Sequence, residues 1–182
     1  MIYILKFGGI GMKKVISATL VVVIVMAGFL FSGQFSPAQA DSPKILSFGN
    51  MVGIPQDLTG TQSQVPLRGL NGGGLPWMLT SASGSLKADG TLKVEVEGLV
   101  LAAGQFAGTN PIPNFRAIVS CVRSDGTFDN IQTDAFPATT GPASSGGGNA
   151  DIETTVTLPQ PCIAPIIFVT SPGGAWFAAT GK

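Results

Sequence analysis

Two glutamates are the first side chains of the sequence whose spacing suggests chemistry. Glu95 and Glu97 lie two residues apart in a segment that alternates apolar and polar residues. On a strand this spacing puts both carboxylates on one face, with Cα atoms about 7 Å apart, within the range of a glycosidase carboxylate pair. The same alternation also predicts a solvated outer face that carries Lys93, Glu95 and Glu97. We favour the solvated face, because the alternation alone accounts for the two acids.

A second set of oxygen-bearing side chains surrounds an Asp-Gly dipeptide. Asp125, Asp129 and Asn130 could contribute ligands to Ca²⁺, but their spacing lacks the glycine and the glutamate that an EF-hand loop requires. Asp125 is also the residue expected to form the turn itself. We therefore predict no metal site and no cofactor.

The residue types that the sequence lacks restrict its chemistry further. It contains no histidine, and Tyr3 is its only tyrosine. This excludes Ser-His-Asp and Cys-His catalytic systems as well as histidine metal sites. Carboxylates, Ser/Lys pairs and cysteines remain, and the sequence therefore favours a non-enzymatic protein. The alternative is a carboxylate-dependent hydrolase that uses acids among Glu95, Glu97, Asp125 and Asp129.

The most distinctive segment is a glycine-rich turn, Arg68–Trp77, with the sequence RGLNGGGLPW. Glycine and asparagine permit left-handed backbone conformations, and successive glycine N–H groups can form an anion-binding nest beside an arginine. The turn is not a phosphate-binding P-loop, because no Gly-Lys-Ser/Thr and no helix follow it. A purely architectural turn that delivers the tryptophan to the core is the favoured interpretation. The candidate binding residues are Arg68, Asn71, Gly72, Gly73, Gly74 and Trp77.

The N-terminal region has the pattern of a secretory signal peptide. A basic start at Met12 is followed by an apolar run over residues 15–31, and Ala-Gln-Ala ends at Ala40. We predict cleavage after Ala40, with residues 1–11 as an upstream extension and a signal helix in the leader. The alternative is an envelope protein that keeps residues 12–34 as a membrane anchor.

The part after Ala40 is expected to be one secreted domain, residues 41–182. It carries seven Lys and Arg against ten Asp and Glu, so its formal charge is −3. It has no basic stripe, which argues against a nucleic-acid partner. A cell-surface or polysaccharide ligand is compatible with this composition, and no membrane contact is expected after signal cleavage. The specific partner is unknown from sequence.

Cys121 and Cys162 are the only cysteines. Because an exported protein with an even number of cysteines usually pairs them, we predict a Cys121–Cys162 disulfide. The alternatives are two buried thiols or a soft-metal pair, and the absence of histidine disfavours the metal.

Short alternating segments separated by Gly, Pro and Asp-Gly turns predict an all-β fold. We expect an antiparallel β-sandwich of about seven to nine short strands, with a β-barrel as the alternative. The predicted strands are Ile45–Ile54, Gln64–Leu70, Trp77–Leu86, Thr91–Leu101, Phe115–Arg123, Phe128–Phe136, Asp151–Leu158, Cys162–Thr170 and Ala175–Thr180.

Five segments of the chain resemble small secreted proteins of bacteria and fungi that have no assigned activity. The segments are Arg68–Trp77, Gly84–Leu101, Phe115–Cys121, Pro161–Pro165 and Phe168–Thr180. The resemblance implies that the chain is secreted, and it identifies no functional residue. Gly84–Leu101 is also faintly similar to strands of the extracellular CHRD domain, but the histidine-containing segment of that domain has no counterpart here. The leading hypothesis is a secreted, non-enzymatic binding or structural module.

Overall fold

The computed structural model describes residues 41–60 and 66–180, and within them the regular structure is almost entirely strand. Short 3-10 turns lie at Gln56–Leu58 and Ala143–Ser145, and residues 41–60 and 66–180 contain no α-helix. The strands are β1 Lys44–Phe48, β2 Met51–Gly53, β3 Trp77–Met78, β4 Ser81–Lys87, β5 Thr91–Glu97, β6 Val100–Leu101, β7 Thr109–Asn110, β8 Asn114–Val122, β9 Phe128–Pro137, β10 Gly141–Pro142, β11 Ala150–Thr155, β12 Ile163–Thr170 and β13 Trp176–Thr180. The predicted signal helix and cleavage point lie outside the described residues.

These strands form two principal antiparallel sheets. One has four strands in the order β1-β4-β5-β11, and the other has five in the order β2-β13-β12-β8-β9. The short pairs β3-β6 and β7-β10 complete the pattern. Within the described residues no sheet closes into a barrel, and the arrangement agrees with the predicted β-sandwich.

Three predicted strands each divide between two sheets. The predicted strand Ile45–Ile54 is β1 of the four-stranded sheet followed by β2 of the five-stranded sheet, so the chain changes sheets at Gly49 and Asn50. In the same way, Trp77–Leu86 separates into β3 and β4, and Thr91–Leu101 into β5 and β6. The latter break falls at Gly98, whose φ of 62° suits glycine.

The predicted strand Gln64–Leu70 is wrong where the structure describes it, because Leu67 and Leu70 instead flank a tight turn. The Gly-Ser-rich segment 139–150 follows a hydrogen-bonded path, in which Gly148 N donates to Thr139 O (2.7 Å) and Leu99 N donates to Gly148 O (3.0 Å).

The core between the sheets follows the period-two pattern of the sequence. Leu92, Val94 and Val96 of β5 are buried, while Lys93, Glu95 and Glu97 between them are exposed, as the alternation predicts. The other sheet contributes buried residues from every second position of β8, namely Phe115, Ala117, Val119 and Cys121.

Cys121 and Cys162 form the predicted disulfide, with Cα atoms 4.9 Å apart. The bond joins β8 to the residue just before β12. Because β8 and β12 are neighbours in the five-stranded sheet, the bond lies within one sheet and does not connect the two layers.

Part of the outward face of the five-stranded sheet is also buried. Ile118, Ser120 and Phe168 are inaccessible to solvent, although Ile118 and Ser120 alternate with the core-facing residues of β8. β8 is therefore buried on both faces along this stretch. Part of the covering is the glycine-rich turn, as its contacts show.

Candidate functional site

The glycine-rich turn begins with two consecutive left-handed residues. Arg68 has φ 51° and Gly69 has φ 78°. On either side, Leu67 N donates to Leu70 O (3.1 Å) and Leu70 N donates to Leu67 O (3.0 Å). This is the pattern of a two-residue turn with both central residues at positive φ, so the turn chemistry explains the Arg-Gly pair.

Residues 71–73 continue the edge of the five-stranded sheet past the end of β2, because they pair with Trp176 at the start of β13. Trp176 N donates to Asn71 O (3.0 Å), and Gly73 N donates to Trp176 O (2.9 Å), which gives a parallel bridge at Gly72. One N–H of the predicted nest is therefore already used by the protein backbone. A Cβ at Gly72 would collide with Ile54 Cδ1 and Leu58 O, so close packing requires glycine there. A Cβ at Gly74 would meet nothing within 4 Å.

Trp77 is directed into the core. Its indole stacks on the Phe177 ring with centroids 4.0 Å apart and packs edge-on against Phe115 at 6.3 Å. Only 5% of Trp77 is exposed, so a ligand cannot stack on this ring without rearrangement of the core. The predicted architectural role of the tryptophan agrees with this packing. The binding role of the turn stays a prediction.

Arg68 attaches the turn to the far side of the five-stranded sheet. Its Nη1 donates to Ser120 O (2.9 Å), its guanidinium lies 5.6 Å from the centroid of the Phe128 ring, and its own carbonyl accepts from Asn130 Nδ2 (3.0 Å). Partial burial lowers the pKa of the Arg68 guanidinium. The turn thus crosses the sheet from Trp176 to β8 and β9.

The acids near the second Asp-Gly turn have structural partners. Asp125 accepts hydrogen bonds from Thr127 N (2.9 Å) and Thr127 Oγ1 (2.7 Å), as the turn interpretation requires. Asp129 pairs with Arg123 at 2.6 Å. Among the described residues no group of three His, Cys, Asp or Glu is arranged to hold a metal ion.

A broad concave surface lies elsewhere, on the outer face of the four-stranded sheet. It is a groove of about 630 Å³ that crosses all four strands. Short serine side chains of β1 and β4 line one half of it, and long charged side chains of β5 and β11 line the other half. The outward-facing residues that line it include Ser47, Ser83, Ser85, Lys93, Glu95, Asp151 and Glu153.

Strand register explains how this groove is built. Ser83 lies opposite Glu95, and Glu95 lies opposite Asp151, so the three side chains form one row across the sheet. Ser85, Lys93 and Glu153 form the next row, where Lys93 Nζ is 2.6 Å from Glu153 Oε1. Short serines beside long charged side chains leave a trough.

Sequence reasoning identified Glu95 and Glu97 as the pair to consider, but the structure sets Glu95 against Asp151. Glu97 instead accepts from Ser81 Oγ (2.8 Å). The signal for the groove was present in Ser81-Ala82-Ser83-Gly84-Ser85, where serine occupies every second position of β4. That alternation predicts a strand face with small hydroxyl side chains.

None of the helical segments in residues 41–60 and 66–180 is long and apolar enough to cross a membrane. Comparisons with protein-family models, with curated proteins and with solved structures found no match to this chain.

Proposed function

We propose that this chain is a secreted, non-enzymatic binding module that holds its ligand in the groove of the four-stranded sheet. The signal-peptide pattern before Asp41 supports secretion. The Cys121–Cys162 disulfide is compatible with an extracellular location, where such bonds persist.

The groove carries the proposal, because it combines an open concave shape with hydrogen-bonding side chains of several kinds. Serine hydroxyls can donate and accept, the Glu95 and Asp151 carboxylates accept, and the Lys93 ammonium donates. A sugar chain presents many hydroxyl groups that need both kinds of partner. We therefore propose a polysaccharide segment as the ligand, lying across β4, β5 and β11.

Affinity electrophoresis in gels that contain individual cell-wall or storage polysaccharides tests this proposal. Ser83→Trp would fill the middle of the groove from an exposed position, and we expect it to abolish retardation by the polysaccharide that retards the wild type. Gln105→Trp adds the same ring to an exposed loop outside the groove, and it should leave retardation unchanged. Equal retardation of Ser83→Trp and the wild type would show that the groove is not the polysaccharide-binding site.

The register of β5 and β11 favours one second candidate, a carboxylate-dependent hydrolase. Glu95 and Asp151 are directly opposite, and such pairs have Cβ atoms about 4.5–5.5 Å apart. Retaining glycosidases hold their two carboxyl groups about 5–5.5 Å apart. If the groove cleaves its ligand, Glu95→Gln and Asp151→Asn should each abolish release of reducing ends while retardation in the gel persists. Cleavage that survives both substitutions would exclude this pair.

A membrane-anchored envelope protein is the remaining alternative, and it depends on residues 12–34, which lie outside the described residues. Separation of expressing cells into membrane and medium distinguishes it from secretion. We expect the protein in the medium, with Asp41 as its first residue.

A further inference from the structure

Two arginines on the outer side of the five-stranded sheet have no carboxylate partner. Arg116, Ile118 and Ser120 share that side of β8, and Arg68 reaches it through Ser120 O and Phe128. Within residues 41–60 and 66–180, neither the Arg68 nor the Arg116 guanidinium forms an ion pair. This side of the sandwich therefore carries two uncompensated positive charges.

Both guanidinium groups are held in place by uncharged partners. Arg116 Nη1 donates to Gln132 Oε1 (2.8 Å), while Arg116 Nε is buried and has no hydrogen-bond partner among the described residues. Arg68 is fixed by its hydrogen bond to Ser120 O (2.9 Å). A guanidinium that is already oriented, and still has free donors, loses less entropy when it binds a carboxylate.

The groove on the opposite side of the sandwich has a net negative charge, because three acids, Glu95, Asp151 and Glu153, line it against two lysines, Lys44 and Lys93. In the groove, Lys93 is used by Glu153, but Glu95 and Asp151 form neither an ion pair nor a hydrogen bond with a described residue. Like charges that face each other across a strand pair repel. A positively charged partner would relieve that repulsion.

We propose that the groove of one copy of this chain receives the Arg68–Arg116 side of a second copy. This inference rests on the proposed binding role of the groove and gives the groove a second ligand, which would compete with the polysaccharide for the same residues. Each copy carries both surfaces, and they lie on different sheets, so the contact is heterologous. Such contacts do not close in a pair, and they propagate from copy to copy unless the rotation makes a ring. The module would thus assemble into chains.

Charge complementarity is the reason for choosing a second copy as the partner. Both the arginine-bearing side and the carboxylate-bearing groove belong to this chain, whereas an acidic polysaccharide would explain only the arginines. Exposed ion pairs are weak singly and are screened by salt. The Debye length falls from about 10 Å at 0.1 M to about 3 Å at 1 M salt, so assembly should be strongly salt-dependent.

Sedimentation velocity of the purified protein over a concentration series tests the assembly. We expect species larger than a dimer at 0.05 M NaCl and monomer at 1 M NaCl. Arg116→Gln should shift the concentration for half-assembly upward by at least about tenfold, because it removes an oriented charge from the contact. Arg123→Gln removes an exposed arginine already paired with Asp129, and it should leave assembly unchanged.

Mixing two defective variants tests the heterologous geometry. Arg116→Gln keeps an intact groove, and the double variant Glu95→Gln/Asp151→Asn keeps an intact arginine side. At a protein concentration above the half-assembly point of the wild type and below that of Arg116→Gln, each variant should be monomeric alone, and a mixture should give a one-to-one dimer and nothing larger.

A wild-type protein that stays monomeric at 0.05 M NaCl, or assembly that Arg116→Gln leaves unchanged, would overturn the inference. Retention of a monomeric wild type on polygalacturonate in an Arg116-dependent way would also overturn it, and would assign the arginines to acidic polymers. If the monomer still binds a neutral polysaccharide in a way that Ser83→Trp abolishes, the proposed function stands without self-assembly.

Discussion

The indole of Trp77 stacks on the ring of Phe177 with centroids 4.0 Å apart and planes 24° from parallel. A Cβ at Gly73 would lie 3.0 Å from the Phe177 ring, so the glycine-rich turn is shaped to this aromatic pair. The packing gives the turn an architectural role and leaves the groove as the more open surface for a ligand.

Alanine substitutions at Gly72 and Gly74 should distinguish a glycine that close packing requires from one that it does not. Gly72→Ala forces a methyl group against Ile54 and the Leu58 carbonyl, and overpacking of this kind costs about 1–3 kcal/mol. Gly74→Ala is the matched control, because its methyl would meet nothing within 4 Å, and its effect should stay within about 0.5 kcal/mol. Urea unfolding followed by tryptophan fluorescence measures both. Equal losses would contradict the packing argument.

Arg68 should contribute more to stability than an arginine in an exposed ion pair. Arg68→Ala removes the hydrogen bond to Ser120 O and the contact with Phe128, and we expect a loss of about 1–2 kcal/mol. Arg123→Ala removes a surface ion pair with Asp129 and should cost clearly less than Arg68→Ala, because exposed ion pairs contribute little to stability. The same unfolding assay compares them. A larger loss for Arg123→Ala would show that the turn is not anchored through Arg68.

The Cys121–Cys162 bond should stabilise the domain mainly by limiting its unfolded chain. The two residues are 41 positions apart, and the chain-entropy model gives about 4 kcal/mol for a loop of this size. The double substitution Cys121→Ala/Cys162→Ala should lower the free energy of unfolding by about that amount. The wild type unfolded without reductant should show no free thiol. Two titratable thiols, or an unchanged free energy in the double variant, would contradict the account.

The turn at Asp125 should become less stabilising in acid. The side-chain and backbone hydrogen bonds from Thr127 lower the pKa of the Asp125 carboxyl in the folded protein. A depressed folded pKa stabilises above the unfolded value of about 3.9, and the contribution is lost as the pH falls through the lower folded pKa.

Unfolding free energies of the wild type and Asp125→Asn at pH 7 and below pH 3 measure this contribution. We expect the wild type to exceed the variant at pH 7 and the gap to narrow in acid. Asp134→Asn is a control, since the Asp134 carboxylate accepts no hydrogen bond from a described residue. A difference in unfolding free energy that grows in acid would contradict a lowered pKa of Asp125 in the folded protein.

The alternation of apolar and polar residues and the Asp-Gly dipeptides were sufficient to predict the faces of β5 and the two tight turns. The alternation Leu92/Val94/Val96 against Lys93/Glu95/Glu97 gave the correct buried and exposed faces of β5, and both Asp-Gly turns contain a glycine at positive φ, at Gly90 and Gly126. These features depend on neighbours in the sequence, so they are visible without a structure.

Long-range pairing was not visible in the same way. The chain changes sheets at Gly49 and Asn50, and nothing local indicates which sheet a strand joins. The row of Ser83, Glu95 and Asp151 comes from three separate strands, and only their register brings it together. The glycine-rich turn was conspicuous in the sequence because its packing is demanding, whereas the groove is made of ordinary serines and acids.

Amide chemical-shift mapping is the most direct test of the groove as the ligand site. A ¹⁵N-labelled sample would be titrated with a soluble oligosaccharide of the polysaccharide that retards the protein in gels. The account predicts shift changes centred on the outward residues of β4, β5 and β11, including Ser83, Glu95 and Asp151. Changes confined to Asn71–Trp77, with the groove resonances unmoved, would contradict it and return the binding role to the glycine-rich turn.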